Sequence, residues 1–337
     1  MQSILKKIQR FALSLSLLAL AMAGPMAAQT CLSSADMDAA VESALTAAAQ
    51  RYFPMVAAGD SADLQQNSIA SLAANFAGIQ AAIAENKANL AAAQATPRKP
   101  FLLQAAGTAP LQHAEFLCGV FGPSGQTADS AVFMIPNLPP GEYGIVTMDA
   151  SSAQGAYAVT FVLQQENSAW KVGGLYIRST DAAGHDGNWF AEQARSFQAK
   201  GQTHNAWMYF QEARELLVPV SFMSTLATDK LYDESQTVKP PDLPSNDHPL
   251  ELPAGGTTYK VTALFLAVVG KDIDAVVKYQ SADISNTTQT YQDNVAVMKS
   301  LLARYPEFRN AFQGVVARAV APSGQDYGTM LPMGEIK

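Results

Sequence analysis

The sequence predicts an α+β fold. It is expected to have an N-terminal helical hairpin packed on a curved antiparallel meander, then a helical hairpin and a small C-terminal α+β domain. Three observations predict it. Between Ser33 and Ala95 apolar residues recur every three or four positions, the period of a helix with one buried face. From Phe116 to Arg178 the period falls to two, and Gly-, Pro- and Asn-containing stretches separate the runs, as in strands joined by short turns. After Gly184 both patterns return, helical first and mixed beyond residue 256.

Residues 1–29 read as a secretory signal peptide. Lys6, Lys7 and Arg10 form a basic start, and Phe11 to Ala23 is an uncharged apolar run. Ala21-Met22-Ala23 and Ala27-Ala28 offer small residues for cleavage. The run is too short to cross a hydrocarbon core of about 30 Å at about 1.5 Å per residue. The expected location is therefore export, to the periplasm or the medium of a bacterial cell. Removing the segment takes Lys+Arg from 22 to 19 against 29 Asp+Glu, a net charge of −10. So acidic a chain repels phosphate backbones, and no nucleic-acid partner is expected. No later run is long and apolar enough for a membrane span.

Export bears on the two cysteines. In an oxidising compartment Cys31 and Cys118 are expected to pair, pinning the start of the mature chain to a strand. The alternative is two separate thiols, Cys118 being buried. Lipidation of Cys31 is rejected, because Ala28-Gln29-Thr30 lacks the small residue that precedes a lipidated cysteine.

At about 150 residues per domain, the 337-residue length suits about two domains. The expected division is an α+β domain over 30–180, a helical hairpin over 181–235, a Pro-rich linker over 236–256 and a small α+β domain over 257–337. Ser33 to Ala58 is the first expected helix, with Met37, Val41, Leu45, Ala48, Tyr52 and Val56 on one face and Ser33 and Asp36 as a capping pair. Gly59-Asp60 breaks it. Asp60 to Ala95 is a longer second helix with Ile69, Leu72, Phe76, Ile79, Ile83 and Leu90 along its seam. The strands are Phe116 to Phe121, Ala131 to Ile135, Tyr143 to Asp149, Ala156 to Gln165 and Trp170 to Arg178. In the fourth, Tyr157, Val159, Phe161 and Leu163 share one face. Short connections make neighbours antiparallel.

This stretch carries a resemblance. Helices are followed by a meander containing Leu138-Pro139-Pro140-Gly141-Glu142-Tyr143, then Val159 to Gln165, then Trp170-Lys171-Val172-Gly173-Gly174-Leu175-Tyr176-Ile177-Arg178. Over about residues 34–179 it resembles the nuclear transport factor 2-like, or cystatin-like, α+β superfamily. It is most similar to small exported bacterial members of unknown function, whose last strand often reads Trp-(Lys/Arg)-Val-x-Gly-(aromatic). The resemblance implies a pocket between the helices and the concave sheet face. His113, Tyr143, Tyr157, Trp170 and Tyr176 are the ligand-binding candidates. Glu115 and Asp149 also border the sheet, and a carboxylate with a tyrosine in such a pocket can move protons. Asp149, near a strand end, reads rather as a turn residue. No motif matches a catalytic family residue by residue, so no catalytic residue is assigned.

Gly184-His185-Asp186-Gly187 makes a turn, and Asn188 to Leu217 reads as two helices broken near Gly201. Phe190, Ala194, Phe197, Gly201, Ala206, Phe210, Ala213 and Pro219 are similar to the pattern of a single tetratricopeptide repeat, over about 188–219. One copy cannot stand alone, so a hairpin buttressing the sheet is expected. His204, Trp207 and Tyr209 are partner-binding candidates, against plain helix packing. His185 beside Asp186 fits a metal ligand or proton shuttle, against a turn whose Asp186 or Asn188 caps the next helix. Lys239 to Gly256 holds five prolines and reads as linker, with His248 solvated. Beyond it come strands Tyr259 to Val269 and Ile273 to Ser281, a helix from about Thr288 to Tyr305 and a strand from Gln313 to Val320. Asn286-Thr287-Thr288 is a glycosylation sequon, relevant only to a eukaryotic source.

The standard catalytic and nucleotide-binding motifs are absent, and four histidines starve zinc and Ser-His-Asp chemistry of parts. No metal or cofactor is expected. The expected function is an exported, non-catalytic protein that binds an unknown small molecule or an envelope protein. The alternatives are a pocket enzyme of isomerase or hydrolase type using acid–base residues, and an envelope assembly component.

Overall fold

The computed structural model describes residues 29–121 and 125–337. The expected signal segment, Gln29 apart, lies outside them. The chain runs β1 (Gln29–Leu32), α1 (Ala39–Ala58), α2 (Ser61–Gln66), α3 (Ala70–Ala73), α4 (Ala77–Asn86), β2 (Gln94–Pro97), β3 (Phe101–Ala105), β4 (Leu111–Cys118), β5 (Ala131–Leu138), β6 (Gly141–Ser152), β7 (Gly155–Glu166) and β8 (Ala169–Ser179). It continues through β9 (Asp181–Ala182), β10 (His185–Asp186), α5 (Gly187–Ala199), α6 (Thr203–Leu217), β11 (Met223–Thr225), α7 (Leu226–Thr237), β12 (Leu250–Ala254), β13 (Thr257–Val269), β14 (Asp272–Gln280), α8 (Thr287–Arg304), β15 (Gly314–Val320) and β16 (Asp326–Pro332). The α+β class is as the sequence predicts.

Six strands form one antiparallel sheet, ordered β1-β3-β6-β7-β8, with β2 also on β6. Both faces of this sheet are covered. Val146, Met148, Tyr157, Val159, Phe161 and Leu163 point to the helices, where Leu45, Ala49, Tyr52, Phe53 and Val56 of α1 meet them. The alternate residues, including Leu103, Tyr143 and Ile145, point the other way and pack on Phe116 and Phe133. Period-two alternation therefore feeds two apolar layers from one set of strands. The expected face of Tyr157, Val159, Phe161 and Leu163 is correct.

Three local expectations are corrected. The first helix starts at Ala39, not Ser33. The Ser33 hydroxyl bonds to Asp36 in a turn, and Asp38 caps the helix by accepting from Ala40 N at 2.8 Å. The long helix expected over Asp60–Ala95 is three short ones. Asn67 and Ser68 side chains bond back to the carbonyls of Asp63 and Leu64, and the freed backbone pairs with the outer edge of β8. Ile69 N donates to Val172 O at 2.9 Å and Val172 N to Asn67 O at 3.0 Å. The break thus covers an edge strand that would otherwise be bare. The single expected meander is also two sheets. β4 pairs with β5, and β5 with β11, in a separate three-stranded sheet, because the apolar residues of β4 and β5 face the back of β3 and β6.

Cys31 and Cys118 form the expected disulfide, with Cα atoms 5.0 Å apart. It ties β1 of one sheet to β4 of the other, closing the layer between them.

Beyond β8 the helical hairpin α5–α6 turns at Gly201, whose φ of 72° lies in the left-handed region that glycine favours. Its buried residues, Phe190, Phe197, Tyr209 and Phe210 among them, belong to one apolar cluster with β13, β14, β15 and α8. That cluster runs across the residue numbers where the sequence places domain boundaries. The hairpin was expected to buttress the meander, but it packs on the C-terminal five-stranded sheet, ordered β12-β13-β14-β15-β16. The Pro-rich stretch ends in β12, which pairs with β13 over Leu250 to Ala254. β14 and β15 are parallel, and α8 makes the crossover between them.

Two predictions follow from the layered half. A Cβ on Gly144 would stand 2.1 Å from Leu45 Cδ2, and Leu45 is fully buried. Gly144→Ala should lower stability by about 1–3 kcal/mol in urea denaturation; an unchanged midpoint would show that α1 is free to shift. Replacing both cysteines by serine should cost about 2–4 kcal/mol, read in the same assay against the oxidised protein.

Candidate functional site

The face of the six-stranded sheet beneath the helices holds no polar chamber. Tyr52, Phe53, Leu64, Ile83 and Phe161 fill it, and the Tyr52 hydroxyl donates to the Trp170 carbonyl at 2.7 Å. Two of the five ligand candidates are buried tyrosines on opposite faces. Tyr157 belongs to the filled face. Tyr143 points between the sheets, where its hydroxyl donates to Pro139 O at 2.8 Å. Burial pushes both phenols up. His113 is exposed on β4 opposite Pro136, and Tyr176 is exposed on β8 with its ring 5.2 Å from Phe222. The five do not converge. Glu115 is exposed on β4, and Asp149 forms an exposed ion pair with Arg98 at 2.6 Å.

Trp170 does border open space. A cleft of about 450 Å³ lies between the start of α1 and the strand ends, with Val41, Leu102, Gln104, Glu142 and Trp170 in its walls. A smaller hollow of about 260 Å³ continues along Ala44, Ala47, Ala48 and Arg51 and shares the same indole. Local structure holds Trp170 there. Asn167 and Ser168 both have positive φ, 52° and 63°, the conformation of a tight hairpin turn, and they set Gln165 opposite Trp170. Glu142 accepts from Gln104 Nε2 at 2.8 Å, and Gln104 Oε1 accepts from the Thr30 hydroxyl at 2.8 Å. Among the described residues, the larger cleft is lined by two carboxylates, Asp38 and Glu142, and by no lysine or arginine, and Arg51 stands in the adjoining hollow. An indole beside unneutralised carboxylates attracts a cation.

A second cluster surrounds His204, which is 9% exposed. Its Nε2 lies 2.8 Å from Asp242 Oδ1. A carboxylate only accepts, so this nitrogen carries the proton. Asp242 Oδ2 accepts from the Tyr305 hydroxyl at 2.6 Å and from Arg304 Nη2 at 3.1 Å. Burial pushes the Asp242 carboxyl up, but the Tyr305, Arg304 and His204 donors together overrule it and hold it at about 2. Asp242 comes from the Pro-rich stretch, so the cluster fastens that stretch to α6 and α8.

Each of the three partner candidates has a contact within the chain. His204 holds Asp242. Trp207 is half-buried, with Lys239 Nζ 5.7 Å from its ring. Tyr209 is buried and donates to Ala311 O at 2.6 Å. His185 stacks on Trp189 at 3.8 Å, and Asp186 caps α5 by accepting from Trp189 N at 2.9 Å. The Asn286 side chain caps α8, accepting from Gln289 N at 3.2 Å, and His248 is exposed. Among the described residues no three His, Cys, Asp or Glu side chains are grouped to hold a metal. None of their helices is long and apolar enough to cross a membrane.

Another hollow, about 570 Å³, lies at one end of the C-terminal sheet among Thr258, Lys260, Thr262, Gln280 and Ser281. It has no aromatic wall, and Lys260 is its one charge. Sequence reasoning missed Gln104, Glu142 and Asp242. The Pro-Gly-Glu-Tyr turn did flag the neighbourhood of Glu142. Nothing in a Pro-rich run marks Asp242 as a bound acceptor. No protein family, curated protein or solved structure matches the chain, so the site is read from its own geometry.

The Asp242 carboxyl gives a pH signature. Its folded value of about 2 lies below the ordinary 3.8, so its stabilisation is full above about pH 4 and is lost as pH falls towards 2. Asp242→Asn should remove about 1–2 kcal/mol near neutral pH, after allowance for solvent screening, and flatten the acid limb of a stability–pH curve. An acid limb as steep as that of the wild type would count against this role.

Proposed function

We propose that the protein is exported and acts as a non-catalytic binding protein, with the Trp170 cleft taking a small organic cation. The observation that carries the reading is the pairing of the Trp170 indole with Asp38 and Glu142 in a cleft whose lining has no basic side chain. A net charge of −7 for the whole chain, more negative once a signal is removed, draws cations towards it. Among the described residues, apolar side chains fill the face beneath the helices, which favours binding at its margin over chemistry in an enclosed pocket.

Export is supported by the basic and apolar start of the sequence and by the Cys31–Cys118 bridge, which suits an oxidising compartment. We infer that the signal ends at Ala28, one residue before the bound that the sequence suggests. Gln29 opens β1, pairs with Ala105, and its side chain accepts from Glu115 N at 2.6 Å. A cut after residue 29 would remove those bonds. The nuclear transport factor 2-like reading of about 34–179 is part of the proposal. In its favour, α1 lies across β6, β7 and β8 and leaves the cleft open at its N-terminal end.

Two measurements test this. Intact mass of the secreted protein should correspond to a chain starting at Gln29. Isothermal titration of that chain with choline, as a quaternary ammonium probe, should give saturable binding that Trp170→Ala weakens at least tenfold and Glu142→Gln several-fold. No binding, or equal binding by Trp170→Ala, would overturn the site.

A further inference from the structure

We propose a second ligand site, for an amphipathic monocarboxylate, in the cleft where β5, β8, β11 and α6 meet. The cleft measures about 330 Å³. Its key residue is Arg214 on α6. The Arg214 guanidinium makes no ion pair or hydrogen bond to any described residue, and its Nε is shut off from solvent. Its Cζ stands 4.8 Å from the centre of the Tyr232 ring on α7, a cation–π contact.

A buried N–H without an acceptor disfavours the fold. The neighbouring cation shows the contrast. Arg178 on β8 lines the same cleft and is paired with Glu215. The lining therefore has two guanidinium groups and one carboxylate, one positive charge in excess on a chain of net charge −7. Guanidinium groups take carboxylates through two parallel N–H···O bonds. A single unit of excess charge matches a monoanion. With Asp229 close by, accepting from the Ser224 hydroxyl at 3.4 Å, the excess is at most one unit, which suits a monoanion rather than a phosphate dianion facing Glu215.

The remaining wall sets the rest of the ligand. Val132, Met134, Val218, Phe222 and Met223 line the cleft, and Met134 is 64% exposed. Tyr176 extends the surface through its edge-on contact with Phe222. Met side chains on a binding surface adapt to flexible apolar bodies. A charged head at Arg214 and an aliphatic body along Met134 and Phe222 satisfy both halves of the cleft. This site is separate from the Trp170 cleft and opposite to it in charge.

Titration of the oxidised mature chain with decanoate should show one saturable site. Decylammonium should not compete for it. Arg214→Gln should weaken decanoate at least tenfold in protein that still unfolds cooperatively in urea. Trp170→Ala should leave it unchanged, which separates failure here from failure of the cation site. In methyl-labelled methionine spectra, decanoate should shift Met134 and Met223 but not Met37, a readout independent of any variant's folding. Absence of binding, equal affinity in Arg214→Gln, equal competition by decylammonium, or shifts that spare Met134 and Met223 would each overturn the proposal.

Discussion

Strands β6 and β7 are buried on both faces, and the N-terminal half depends on that double burial. In β6, Tyr143 and Ile145 serve one layer while Val146 and Met148 serve the other. A central hairpin in this position leaves no side for water. It forces a helix layer on one face and a second sheet on the other, and it demands a way to hold the two sheets together. The Thr147 and Thr160 hydroxyls, buried across the hairpin, satisfy each other at 2.9 Å. The disulfide acts at the rim of the same arrangement, joining the edge strands β1 and β4. Close approach of α1 at Gly144 completes it.

Periodicity made much of this legible. The alternation in β7 identified the correct residues for the helix-facing layer, and the seam residues Phe76, Ile83 and Leu90 are buried although the helix proposed to carry them is broken. Periodicity reports which residues are buried, and it is silent on what buries them. The break at Asn67 and Ser68 arises from hydrogen bonds to β8, a partner more than a hundred residues away. The assignment of β4 and β5 to a second sheet depends on β11, which arrives only after the helical hairpin. Likewise Phe190, Phe197 and Phe210 fit the pattern of a tetratricopeptide-like hairpin, but their partners lie in a sheet that begins at the end of a Pro-rich run.

Site residues were harder to read for a related reason. Aromatic side chains near strands and helices draw attention, yet Tyr143, Tyr157 and Tyr209 are core residues whose hydroxyls or rings are satisfied internally. Trp170 differs only because it stands at a hairpin end, where the layer stops. Arg214 sits on a helix whose surrounding residues, Phe210, Ala213 and Leu216, are all buried, and no local pattern distinguishes it from an ordinary surface arginine.

With both faces of the central hairpin filled, polar chemistry is displaced to the margins of the layers. One margin is the open end beneath α1, where strand ends bring Gln104 and Glu142 together. The other is the seam where β11 leaves the helical hairpin and joins β5. At that seam residues from two apolar clusters meet without merging, since Phe222 and Met223 pack on one and Leu216 and Leu217 on the other. A charged side chain at such a junction is screened by protein on several sides yet faces a gap. Arg178 closes part of the gap with Glu215, and Arg214 does not. The asymmetry between these two arginines follows from where the chain crosses from one core to the other. The same crossing that ties the halves together therefore creates the unsatisfied donor.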